Sequence, residues 1–172
     1  GCLDAIMRHN PPEITRVRFV STRGRELFIT LPHAALGISR RVLDETLFRH
    51  AGACGAITHE GCEVTRLAAP RGEVPVVHLK RKYAAATGLP GTISGRVVVG
   101  AYGRRTKLDR DLDRAFLHRL DSSVGIKLHH RAAAGEAGQR ALGELSDTTE
   151  IFGLNGGYCG IARIENDLVN VC

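Results

Sequence analysis

The chain has no tryptophan, a single methionine and only 5% aromatic residues. So thin an aromatic content, with no basic helix and no zinc-finger spacing, argues against a nucleic-acid reader. No run approaches the roughly 18–20 consecutive apolar residues that a membrane-spanning helix needs. The opening Cys2-Leu3-Asp4-Ala5-Ile6-Met7 is too short and carries an acid, so it is not a secretory signal. None of the five cysteines, Cys2, Cys54, Cys62, Cys159 and Cys172, pairs as C-x-x-C, which removes zinc ribbons and thioredoxin-type motifs. Their odd count and low density do not suit a disulfide scaffold and point to buried thiols in a reducing, cytoplasmic setting. His129-His130 is the single histidine pair. Neighbours on a strand face opposite ways, so the pair makes a poor chelate and no metal site is expected.

What is present suits a globular protein. At 172 residues, 43% of them hydrophobic, the chain can bury a real core. Lys and Arg outnumber Asp and Glu by 24 to 18, for a net charge of +6 and a pI near 9.4. Part of the excess is local, at Arg40-Arg41, Lys80-Arg81-Lys82 and Arg104-Arg105. Such clusters suit an anionic cofactor, a membrane surface or nucleic acid, or are simply solvated turns. The chain opens on Gly1, not methionine, and stops inside the strand-like Leu168-Val169-Asn170-Val171-Cys172. Both ends read as interior sequence, so a segment of a longer protein is expected.

Periodicity predicts the elements. An opening helical stretch ends at Pro11-Pro12. Ile14–Val20 and Glu26–Leu31 read as a hairpin about Ser21-Thr22-Arg23-Gly24-Arg25, with Pro32 and Gly37 bracketing a loop. A helix is predicted over Ile38–Gly52, with Ser39 as N-cap, Gly52 as stop, and Val42, Leu43, Leu47 and Ala51 as its apolar face. Arg40 then lies in the first turn, where free N–H groups favour anions. An anion opposite would explain it, as would a side chain reaching past the helix end or a solvated arginine. Gly55–Ala69 reads as strand, turn and strand, Val74–Leu79 as an edge strand and Thr87–Gly95 as a loop. Val97-Val98-Val99 reads as a buried strand feeding Gly100-Ala101-Tyr102-Gly103-Arg104-Arg105. Gly100 and Gly103 allow close backbone approach, so this loop suits a phosphate-bearing ligand or an ordinary turn. Asp109–Leu120 reads as a short amphipathic helix, Ser123–His130 as a strand, and Ala132–Ser146 as helix or loop. Thr148–Leu154, Gly160–Glu165 and Leu168–Cys172 read as an antiparallel sheet turning at Asn155-Gly156-Gly157 and Glu165-Asn166-Asp167.

The order of these pieces is similar to that of a known family. Leu36-Gly37-Ile38-Ser39-Arg40-Arg41-Val42-Leu43-Asp44 precedes Ala51-Gly52-Ala53-Cys54-Gly55 and Gly61-Cys62-Glu63-Val64-Thr65. Then come Val97–Thr106, Gly125-Ile126-Lys127-Leu128-His129 and Gly156-Gly157-Tyr158-Cys159-Gly160. Together they resemble the middle of an FAD-dependent oxidoreductase of the aromatic hydroxylase and geranylgeranyl reductase superfamily, on its geranylgeranyl-reductase-like branch. The resemblance runs through nearly the whole chain, by order and spacing more than by any single motif.

It implies an α/β (α+β) fold in which part of an FAD/NAD(P)-binding, Rossmann-like domain (residues 38–69 and 95–108) is interleaved with hairpins and the antiparallel sheet of a substrate domain (12–37, 70–94 and 121–172). The family loop G-A-D-G-x-x-S, which borders the pyrophosphate and ribityl part of FAD, maps onto Gly100, Ala101, Tyr102, Gly103, Arg104, Arg105 and Thr106. Tyr102 replaces the usual acid. The helix-start arginine near the flavin maps onto Arg40, and Val64 onto the strand position whose backbone meets the adenine. Gly157 and Tyr158 map onto the Gly-Tyr of the substrate domain facing the flavin ring; Gly160 stands where the family often has tryptophan. The chain has neither the G-x-G-x-x-G pyrophosphate loop nor a later G-D segment, so tight FAD binding by this chain alone is not expected.

The function implied is that of a segment of an FAD enzyme, of reductase or monooxygenase type, using NAD(P)H-reduced flavin on a small apolar or aromatic substrate. The cofactor carries the chemistry and the protein supplies position and field. The alternatives are a truncated non-catalytic binding module, motivated by the missing glycine-rich loop, and a basic nucleic-acid-binding protein, motivated by charge alone.

Overall fold

A computed structural model describes residues 1–68, 73–82, 88, 90–103, 108, 109, 112, 114 and 124–172. In chain order its elements are α1 (Cys2–Met7), β1 (Glu13–Val20), β2 (Glu26–Leu36), α2 (Arg40–Ala53), β3 (Cys62–Ala68), β4 (Val76–Arg81), β5 (Thr92–Ser94), β6 (Leu128–Arg131), α3 (Glu136–Glu144), β7 (Thr148–Leu154), β8 (Gly157–Ile164), a 3₁₀ turn (Glu165–Asp167) and β9 (Leu168–Val171). The fold is mixed α/β, as the sequence implies. It divides into two compact units, Gly1–Ala56 with Val124–Cys172, and Ile57–Ser123.

The first unit is built on a six-stranded sheet in the order β2-β1-β7-β8-β9-β6. The β1–β2 hairpin and the β7–β8–β9–β6 run are antiparallel, and the two halves join through a parallel β1–β7 pair. Asp147, just before β7, makes that junction. Its carbonyl accepts the N–H of Thr15 at 2.8 Å and of Arg16 at 3.1 Å. Its carboxylate accepts Arg16 Nη2 at 2.8 Å and Nε at 3.2 Å, plus the Thr15 and Thr148 hydroxyls at 3.1 and 2.8 Å. Those bonds, led by the one from Arg16, hold the Asp147 carboxyl down at about 2. Arg18 straps three strands, reaching Glu26 on β2 and Glu150 on β7 at 2.6 Å each.

Strand alternation gives this sheet two unlike faces. Arg18 and its partner Glu150 share one. Val17 and Thr149 are partners on the other, as are Ile151 and Gly160, and Ala162 and Asn170. The second unit carries a three-stranded antiparallel sheet, β3-β4-β5.

Several expectations need correction. β2 does not stop before Pro32 but runs on to Leu36. It is the sheet's edge, where a residue without an N–H is tolerated, and the pairing breaks register between Ile14 and Arg16 to accommodate the extra residues. α2 passes through Gly52 and ends at Ala53, with Gly55 at φ +93° beyond it, a backbone region suited to glycine. Its expected apolar face is not buried as a stripe, since Leu47 and Ala51 are exposed. The buried residue is Thr46, whose hydroxyl lies 2.9 Å from His9 Nε2.

The predicted strand before Cys62 does not form, β4 starts at Val76, and Thr92–Ser94 is a short strand inside the expected loop. The β6 strand covers only Leu128–Arg131, while β8 starts at Gly157, three residues earlier than expected. The largest departure is Val97–Val99. It is not a buried strand: Val97 is 79% and Val99 83% exposed, and neither pairs with a described strand. β-branched residues favour extended backbone, but a strand requires a partner along its edge, and none of the described strands lies beside this one. The predicted Asp109–Leu120 helix falls mostly outside the described residues.

Candidate functional site

The N-terminus of α2 is closed from within. Ser39 is the N-cap, its hydroxyl accepting the Val42 N–H at 3.3 Å. Glu165, only 2% exposed, meets it from the turn after β8. One carboxylate oxygen accepts the Ser39 N–H at 2.7 Å and the other accepts the Ser39 hydroxyl at 2.6 Å. An anion is thus present at this helix end, where the dipole favours one, and the chain itself provides it. The chain reaches this point through Gly37, where an added Cβ would sit 2.2 Å from the Arg163 carbonyl oxygen and 2.9 Å from Pro12 Cγ.

Beside this Ser39–Glu165 contact lies a cavity of ≈ 340 Å³ on the face of the sheet that carries Val17, Thr149 and Ile151. Val17, Leu31, Ile151 and Ile164 give it apolar walls, and Ser39, Thr149, Asn170 and Lys127 are its polar and charged lining residues. Its size and mixed lining suit a small organic molecule. The Asn170 Oδ1 is buried and, among the described residues, has no hydrogen-bond partner. The sequence reading missed both Glu165 and Asn170. Glu165 reads as an ordinary turn acid. Asn170 carried one signal, a polar residue between two valines in a strand.

Arg40 is the first residue of α2. Its guanidinium is exposed and pairs with Asp44 at 3.1 Å, one turn along, a surface pair of little strength. Gly157 and Tyr158 open β8 beyond the Asn155-Gly156 turn, and Tyr158 is 65% exposed. Tyr158 and Arg40 are not brought together. Tyr158 lies six residue steps along β8 from Ile164, about 20 Å at ~3.3 Å per residue. Alternation nevertheless places Tyr158 on the same β8 face as Ala162 and Ile164, which line the cavity.

In the second unit, Val64 sits in β3 and is 40% exposed. Gly100, Ala101 and Gly103 are exposed, and Gly103 has φ +79°. The Tyr102 hydroxyl bonds Asp109 Oδ1 at 3.2 Å. An added Cβ at Gly100 would meet the Tyr102 ring at 2.8 Å, so Tyr102 folds over a position that glycine alone fills without displacement. Among the described residues no backbone hydrogen bond engages Gly100–Gly103. Arg104, Arg105 and Thr106 lie outside the described residues. No group of three His, Cys, Asp or Glu among the described residues is placed to hold a metal ion, and no helix among them is long and apolar enough to cross a membrane.

No family model and no curated protein matches the sequence. Solved structures do match in fold. CmlS, a flavin-dependent halogenase, superposes with a TM-score of 0.68 at 16% identity, over 99% of this chain and 31% of its own. The myxobacterial chondrochloren halogenase CndH, described as a new variant of FAD-dependent halogenases, gives 0.64 at 15% identity, over 98% of this chain and 38% of its own. The chain therefore has the fold of a segment of FAD-dependent halogenases and spans about a third of the length of the structures it matches.

Proposed function

We propose that the chain is a segment of an FAD-dependent oxidoreductase acting on a small apolar or aromatic molecule. The observation that carries this reading is the fold match along almost the entire chain to two flavin enzymes. The residues present fit the cofactor. Gly100, Ala101 and Gly103 offer exposed backbone, engaged by no backbone hydrogen bond among the described residues, to phosphate or ribityl oxygens, and Tyr102 flanks them. Arg104 would follow in the same loop, and the Val64 backbone would meet the adenine. Because Glu165 closes the α2 end, Arg40 would act through its guanidinium, released from a weak surface pair. Residues 38–69 and 95–108 form the cofactor side in this reading, and 12–37, 70–94 and 121–172 the substrate side.

FAD when bound supplies the two-electron redox chemistry, with NAD(P)H as the proposed donor. The chain's own residues bind and orient. The sheet cavity takes the substrate, its apolar walls exclude water, Tyr158 contacts the substrate from the open end of the β8 face it shares with Ala162 and Ile164, and Gly157 contributes through its backbone beside it. The reaction types proposed are reduction and monooxygenation. Halogenation is a second reading, favoured because both matched structures are halogenases.

The test is an FAD titration of the protein followed by quenching of flavin fluorescence, with Gly100→Val in parallel. Weak, saturable binding reduced at least severalfold by the substitution is expected. Binding indifferent to it, or none at millimolar FAD, would refute the cradle.

A further inference from the structure

We propose that Asn170 selects the ligand of the sheet cavity, and that this ligand is an apolar molecule presenting one O–H or N–H donor to the Asn170 amide oxygen. The inference rests on the reading of this cavity as the substrate site. Asn170 lies directly opposite Ala162 in the β8–β9 register, so both side chains stand on one face of the sheet, and both line the cavity. Asn170 Oδ1 is buried and without a partner among the described residues.

A buried acceptor left unmade is costly in an apolar setting. A ligand that donates to it recovers that cost, and one of the same shape without a donor leaves the oxygen stranded. The other lining groups narrow the class. Among the described residues no carboxylate lines the cavity, so none of them favours a cationic ligand. The one charged residue among the described lining residues, Lys127, is exposed, and its charge is screened by solvent. A neutral donor on an apolar body is what remains.

Phenol and toluene serve as probes, because they are similar in shape and differ in the donor. Each is titrated into the full 172-residue chain and followed by the NMR shifts of the Asn170 side-chain amide and the Thr149, Ala162 and Ile164 backbone. Phenol is expected to bind about two- to tenfold more tightly than toluene, the gain typical of one hydrogen bond. Asn170→Leu is expected to abolish or reverse that preference. Equal binding of the two probes, tighter toluene binding, or no shift at these residues with either probe would overturn the proposal, and these comparisons need no variant.

An FAD titration of the same sample, read at Gly100–Gly103, separates the two claims. FAD binding without a phenol preference sinks the role of Asn170 alone. A phenol preference without FAD binding keeps Asn170 and sinks the cofactor cradle at Gly100–Gly103.

Discussion

Removing the Glu165 carboxylate should loosen a point where the start of α2 is tied to the turn after β8. Glu165 and Ser39 are 2% and 4% exposed, and the two carboxylate oxygens take the Ser39 N–H and hydroxyl at 2.7 and 2.6 Å. Hydrogen bonds to a charged group contribute about 1.5–3 kcal/mol each, and donors stranded in the interior add to the loss. The two bonds share one carboxylate, so they do not simply add; Glu165→Ala should cost about 3 kcal/mol. Glu165→Gln keeps one acceptor oxygen and should cost roughly half of that. Urea unfolding with unchanged m-values reads both directly. A cycle with Ser39→Ala adds an internal control, because the two sites should couple by about 1 kcal/mol or more. A loss below about 0.5 kcal/mol for Glu165→Ala, or strict additivity with Ser39→Ala, would refute the clamp; such values are what surface substitutions give.

Other consequences follow from the same geometry. Gly37→Ala would force a Cβ to within 2.2 Å of the Arg163 carbonyl oxygen, and thermal unfolding should show a loss of about 2 kcal/mol, typical of overpacking against unyielding backbone. The Asp147 carboxyl is lowered from 3.8 to about 2, first by its bond from Arg16, and Glu26 is lowered by its bond from Arg18. A carboxylate with a depressed folded pKa stabilises the fold above its unfolded pKa, and that contribution is lost as pH falls through the folded value. Amide exchange across β1 and β7 should therefore accelerate between about pH 4 and pH 2, and Asp147→Asn should flatten that dependence. Tyr102→Phe removes the bond to Asp109 and should weaken FAD binding while lowering the unfolding free energy by no more than about 1 kcal/mol.

Local patterns made much of this fold legible. The β1–β2 hairpin, the β7–β8–β9 meander and the Ser39 cap each depend on residues near one another in sequence, where alternation and cap chemistry act. The parallel β1–β7 pair left no such trace: Arg18 and Glu150, which it brings to 2.6 Å, are 132 residues apart. Glu165 and Asn170 gain their meaning only from that distant pairing, which folds the end of β8 against α2 and sets Asn170 beside the cavity. Val97–Val99 shows the converse. Its composition is that of a strand, but composition cannot supply the neighbouring edge. Arg40 shows both at once: of the three readings open to it, the solvated arginine holds, with its guanidinium exposed and paired with Asp44, while the chain's own Glu165 carboxylate stands at the helix end.

The central claim is that these residues belong to a flavin enzyme. Its most direct test is the visible absorption spectrum of the protein purified from its complete coding frame, before and after unfolding. Flavin bands that stay with the folded protein, with FAD released on unfolding, are expected. A colourless protein that takes up no FAD when it is supplied in excess would contradict it.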